Sequence, residues 1–148
     1  MIEFKFYIQR DGENEGVDIL AHNDFKDSMV YSKCVGLLKK GKAKNKYIEK
    51  FPETELINIW EGDNLVRENT MIALTLAFKG ENRTQTFDKF YDYVKKGNFY
   101  YWDNIRRKKA YLNLMEEVEP SDDIYKGHNP YIVATFNFTN LLGGTEDV

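Results

Sequence analysis

One stretch limits the folds open to this chain more than any other. From Met71 to Phe78 the large apolar side chains of Ile72, Leu74, Leu76 and Phe78 alternate with Met71, Ala73, Thr75 and Ala77. A period of two describes a strand that buries one bulky face and keeps a second, smaller face close to another surface. After the turn-like run 79–82, the segment from about Thr84 to Lys96 sets Phe87, Phe90, Tyr91 and Val94 at i, i+3, i+4 and i+7, the stripe of an amphipathic helix. Asn82 or Thr84 offers a capping oxygen at its start, Lys95 and Lys96 complement the dipole at its end, and Gly97 suits a left-handed stop. Further strands are expected at Phe99 to Trp102, Lys109 to Val118 and Tyr131 to Leu142. The fold class that follows is mainly β (α+β): an antiparallel β-sandwich or barrel-like sheet with one principal helix packed on it.

Upstream the signals are shorter. Ile2, Phe4, Phe6 and Ile8 alternate with polar and amphipathic residues, a half-buried strand, and the turn Asp11 to Gly16 lets Val17 to Leu20 return beside it. Between Ala21 and Tyr47 the apolar islands 29–31 and 35–38 hold neither strand nor helix period for long. A loop of that length in a compact domain is expected to serve a function or a partner. Leu56 to Trp60 reads as one more strand. No repeat or linker-like composition divides the 148 residues, and 42% hydrophobic content with 3 prolines argues against disorder, so residues 1–148 are expected to form a single domain.

The formal charge of −3 argues against a surface given over wholly to nucleic acid or anionic membrane. With no signal-like N-terminus and no apolar run of about 18 residues, a soluble protein made in the cytosol is expected. Cys34 is alone, so it forms no internal disulfide, and with only His22 and His128 there is no zinc cluster. A small buried apolar role suits that cysteine better than a nucleophilic one. The chain carries no Gly-rich phosphate loop, nucleophile elbow, paired helical histidines or calcium loop, and no enzymatic activity, catalytic residue, metal or cofactor is expected. Asp122, Asp123 and His128 are the best metal candidates, against the plainer reading of a polar turn between strands. Glu116, Glu117 and Glu119 offer carboxylate pairs, as any acidic loop does.

Charge is unevenly placed. Lys39, Lys40, Lys42, Lys44, Lys46 and Lys50 fall within twelve positions, either a solvated loop or a contact for an acidic neighbour or phosphate. Glu116, Glu117, Glu119, Asp122 and Asp123 carry the opposite sign, which permits head-to-tail self-association. The alternative reading is a single-stranded nucleic-acid-binding module built on the aromatic and basic stretch 95–109, which faintly resembles the aromatic strand of RNA-recognition motifs. The chain departs from that module in having one defensible helix, and in placing Asn98 where an aromatic should follow the glycine. A third class, a small hydrolase or lectin-like protein, would use the acidic loop and exposed aromatics.

Taken together, the strand 72–78, the Gly-Glu-Asn-Arg turn at 80–83, the helix Phe87 to Gly97, the corner Phe99 to Asp103, the run Arg106 to Leu114 and the closing strand to Gly143 resemble phage tail proteins of the distal-tail and tail-tube β-sandwich type. The match covers about half of the chain. The resemblance implies a tail-tube-like fold and a structural, non-enzymatic subunit of a phage tail or tail-like particle, assembling into a ring through sheet edges and charged loops. It implies as partners other copies of the chain and other tail proteins, no membrane, and nucleic acid only as cargo passing through a channel. Its location would be the virion tail, after synthesis in the bacterial host cytoplasm. The candidate interface residues are Lys39, Lys40, Lys42, Lys44 and Lys46, the acidic Glu116, Glu117, Asp122 and Asp123, and Thr135, Asn137 and Thr139 on the polar side of a strand expected near a sheet edge. Residues 143–148 are expected to be a loose tail.

Overall fold

The fold grows from a long antiparallel pair. The structure, a computed structural model, describes residues 3–42, 48–49, 58–59, 67–126 and 129–148. Among the described residues the strands are β1 (Phe6–Arg10), β2 (Val17–Asp18), β3 (Met29–Val35), β4 (Ile48–Glu49), β5 (Asn58–Ile59), β6 (Thr70–Lys79), β7 (Phe99–Asp103), β8 (Lys108–Leu114), β9 (Ile124–Lys126), β10 (Asn129–Asn140) and β11 (Glu146–Asp147), and the one α-helix among them is α1 (Arg83–Lys95). β6 and β10 run antiparallel over ten paired positions, from Thr70 opposite Asn140 to Lys79 opposite Tyr131. Around them the main sheet is ordered β2, β1, β7, β8, β10, β6, β3, with β9 against β10 and β11 against β8; β4 and β5 form a separate pair.

Alternation decides the two faces. Ile72, Leu74, Leu76 and Phe78 of β6, Ile132, Ala134, Phe136 and Phe138 of β10, Phe99 and Tyr101 of β7, and Phe6 and Ile8 of β1 are all buried in one core. α1 covers this face as its stripe predicts: Phe87, Phe90 and Val94 are buried, and Tyr91 packs at the rim. Phe90 meets Phe136 edge-on at 5.0 Å and Phe25 at 5.6 Å, while Phe87 meets Phe78 at 5.6 Å. The start of the helix differs from expectation. Asn82 stands at the N-cap without a side-chain cap, and the Arg83 guanidinium turns back to donate to the Gly80 carbonyl at 3.1 Å.

Three corrections concern the sheet. Met29–Val35, whose pattern promises no regular element, is a seven-residue strand against β6. Its register shifts between Tyr31 and Lys33, so Ser32 is an extra residue, a β-bulge. The strand Tyr131 to Leu142, expected near an edge, is interior: β10 lies between β6 and β8, and the sheet ends at β2 and β3. The terminal 143–148 segment is not wholly loose, because Glu146 and Asp147 pair with Lys109 and Lys108. The expected strand Leu56 to Trp60 is described only at Asn58–Ile59, and Ile2 lies outside the described residues.

Candidate assembly surface

The basic segment leaves β3 and is held at one end of the β6–β10 pair. Gly41 N–H donates to the Gly143 carbonyl at 2.7 Å, Glu68 N–H to the Lys42 carbonyl at 2.6 Å, and Arg67 Nη1 to the Gly41 carbonyl at 3.0 Å. Gly143 has φ +63°, and the Glu68 carbonyl and Arg67 fill the space a Cβ would need there, so the turn accepts only glycine without rearrangement. Lys39, Lys40 and Lys42 project from this clasp and are exposed. Lys44, Lys46 and Lys50 lie outside the described residues.

The acidic segment leaves β8 beside Phe138 and runs along β10 toward Tyr131. Ser121 N–H donates to the Val133 carbonyl at 2.8 Å and Ser121 Oγ accepts from Val133 N–H at 2.9 Å, which pins the loop beside β10. Glu116, Glu117 and Asp122 are exposed. Asp123 is committed within the subunit, accepting from Arg83 Nε at 2.7 Å and from Nη2 at 3.1 Å. Hydrogen bonding to Arg83 holds the Asp123 carboxyl below its ordinary range. Of the candidate metal set, Asp123 is thus paired with Arg83, and His128 lies outside the described residues.

Between them lies the sheet face that α1 does not cover. Its rows follow from the register: Val30, Ala77 and Val133; Lys33, Thr75 and Thr135; Val35, Ala73 and Asn137; and Met71 with Thr139. Val30, Val35 and Met71 are 42%, 58% and 46% exposed. The Thr75 and Thr135 hydroxyls hydrogen bond at 3.0 Å, and the Thr139 hydroxyl lies 3.7 Å from Met71 Sδ. Thr135, Asn137 and Thr139 thus share this face, as their alternation implies, but in mid-sheet, and Thr139 is buried.

The aromatic stretch divides by parity. Phe99 and Tyr101 enter the core, while Tyr100 and Trp102 join the uncovered side farther along the sheet. There Tyr7 stacks on Trp102 at 5.5 Å, Lys109 Nζ lies 5.1 Å from the Trp102 ring and 4.7 Å from Tyr100, and Tyr100 meets Tyr111 at 4.7 Å. Gly16 packs on the indole so closely that a Cβ has no room. The Tyr111 hydroxyl donates to Asp11 at 2.8 Å. This is a ladder of cross-strand pairs whose ring faces serve one another.

A last feature joins the sheet's two regions. The Asp103 carboxylate is fully buried and accepts from Ile105 N–H at 2.9 Å, Arg106 N–H at 2.5 Å and Arg106 Nε at 2.9 Å. Arg106 Nη1 then reaches the Cys34 carbonyl on β3 at 3.4 Å. Nearby, Phe4 stacks on Tyr31 at 4.0 Å. Burial pushes the Cys34 thiol up, against the pull of Arg106. Nothing in the spacing of Asp103 and Arg106 announces a partner 72 residues away; only the i, i+3 carboxylate–arginine pair after a strand hinted at an ordered turn.

Searches of protein-family models, of curated proteins and of solved structures return no match for this chain.

Proposed function

We propose that this protein is a structural, non-enzymatic subunit of a phage tail or tail-like particle, associating with further copies of itself and with other tail proteins in a ring. The observation that carries the reading is the exposed basic cluster Lys39, Lys40 and Lys42 at the Thr70–Asn140 end of the β6–β10 pair, and the exposed acidic residues Glu116, Glu117 and Asp122 on a separate segment that runs from β8 along β10 toward the other end. Separate surfaces of opposite sign on one subunit favour heterologous, head-to-tail contact, and such contacts close into rings when the rotation permits. The uncovered face between them adds apolar area, since Val30, Val35 and Met71 are exposed on it. The nucleic-acid alternative draws less support, because the outward rings of the 95–109 stretch are stacked on one another and on Lys109.

The test is a charge reversal read by solution mass. Replacing Lys39, Lys40 and Lys42 with Glu is expected to weaken self-association while the thermal midpoint stays nearly unchanged, since exposed lysines contribute little to folding. Mixing that variant with one carrying Glu116→Lys, Glu117→Lys and Asp122→Lys should restore hetero-association. Unaltered assembly in both variants would remove the charged segments from the interface.

A further inference from the structure

The turn between β7 and β8 closes through an uncommon backbone conformation. Arg107 has φ +52°, and among the described residues it is the one non-glycine residue with positive φ. That conformation strains a residue with a Cβ, and glycine or asparagine adopts it more easily. The fold uses the main chain of this residue. Its N–H donates to the Asp103 carbonyl at 3.3 Å and its carbonyl accepts from Val148 N–H at 3.2 Å, bonds that a glycine would make equally well. The side chain is not tied down. Arg10, Arg83 and Arg106 are each paired with a carboxylate and Arg67 donates to the Gly41 carbonyl, whereas the Arg107 guanidinium has neither kind of partner among the described residues. A strained position that holds an uncommitted charge points to a function for that charge.

Arg107 lines a cleft of about 240 Å³ with Tyr7, Trp102, Asp103, Asn104 and Val148. Tyr7 and Trp102, stacked at 5.5 Å, give it an aromatic wall, and Asn104 is fixed by bonds to the main chain of Lys5 and Glu3. The Asp103 carboxylate in the lining is buried and already accepts from two N–H groups of the turn and from Arg106 Nε, which offsets its charge. Lys108 is bound to Asp147, and Lys109 sits on the rings of Tyr100 and Trp102. Arg107 is therefore the cation on offer. We propose that this cleft binds a small oxyanion, a phosphate or carboxylate group, on the Arg107 guanidinium, with a short organic part against Tyr7 and Trp102. The planar fork of N–H donors matches either group in a bidentate manner. At about 30 Å³ per water the cleft holds roughly eight waters, below the range of about 300–1,000 Å³ usual for larger ligands, so the ligand is a single-ring acid in size. Because Arg107 is exposed, solvent and salt screen the contact and a millimolar Kd is expected.

The experiment titrates the isotopically labelled full chain with phenyl phosphate and with benzoate, following backbone and indole N–H resonances, against sodium chloride at equal ionic strength. Saturable shifts centred on Trp102, Asn104 and Arg107 are expected. Arg107→Gly and Arg107→Asn should each weaken binding about tenfold or more, because both remove the charged fork. Their thermal midpoints should equal or exceed that of the wild type, because both residues accept positive φ. That pairing of lost binding with kept stability separates a ligand site from a turn that merely needs its arginine. Tighter binding of phenyl phosphate assigns a phosphate ligand, and tighter binding of benzoate a carboxylate. Shifts that chloride reproduces, shifts confined to the basic segment 39–42, or shifts unchanged in both variants overturn the site. Midpoints lowered in both variants would show that the side chain serves the fold, and overturn it as well.

Discussion

Phe90 packs the helix onto the sheet. Its ring is fully buried and lies edge-on to both Phe136 of β10 and Phe25 of the segment before β3, so it joins three parts of the chain at one point. Phe90→Ala should lower stability by about 3 to 5 kcal/mol, measured by denaturant unfolding, because truncation there both loses apolar burial and leaves a cavity. A loss below 1 kcal/mol would contradict the packing described. A second residue-scale expectation concerns acid. Arg83 and Lys108 hold the carboxyls of Asp123 and Asp147 below the ordinary range. A depressed folded-state pKa stabilises above the unfolded value, near about 4, and the gain is lost as pH falls through the folded value. The stability difference between wild type and Asp123→Asn should therefore be fully present at pH 7, small because the pair is exposed, and should vanish on acidification. A difference that grew toward low pH would reverse the assignment.

Among the elements, legibility followed regularity. β6, β10 and α1 were plain because their periods of 2 and 3.6 run over eight or more residues, and β7 and β8 followed from shorter runs of the same kind. β3 was hidden by a single residue. Met29 and Tyr31 sit opposite Phe78 and Leu76, but the extra Ser32 then moves the inward position from Lys33 to Cys34, which opposes Leu74. A strict period of two would have carried a lysine into the core, so the sequence looks irregular where the strand is bulged. Deleting Ser32 should then leave every other β3 residue on its present face and change stability by less than about 1 kcal/mol; a loss of 3 kcal/mol or more would mean that the bulge itself is required. Strand order was not legible in the same way. Alternation states which face is buried but not which neighbour lies alongside, and β10 was therefore expected near an edge although it is interior. Of the candidate surface, the exposure of Lys39, Lys40, Lys42, Glu116, Glu117 and Asp122 was readable from charge clustering. The commitment of Asp123 to Arg83, and of Arg106 to β3, depended on contacts 40 and 72 residues apart, which no local pattern encodes.

At the scale of the molecule, the sheet divides its labour between two faces. One is filled by the core and closed by α1. The other is left uncovered by α1, with a self-stacked aromatic ladder on β1, β7 and β8, small and apolar rows on β3, β6 and β10, a basic cluster at the Asn140 end of β10 and an acidic segment running along β10 from β8. The proposed self-association draws on this face and on the two charged segments. The most direct test of that account is the mass of the purified protein in solution, followed over rising concentration at low and high salt together with images of the particles. The account predicts discrete multiples of 17.4 kDa that appear as closed rings and dissociate as salt screens the charged segments. A mass of one subunit at every concentration in low salt would contradict it.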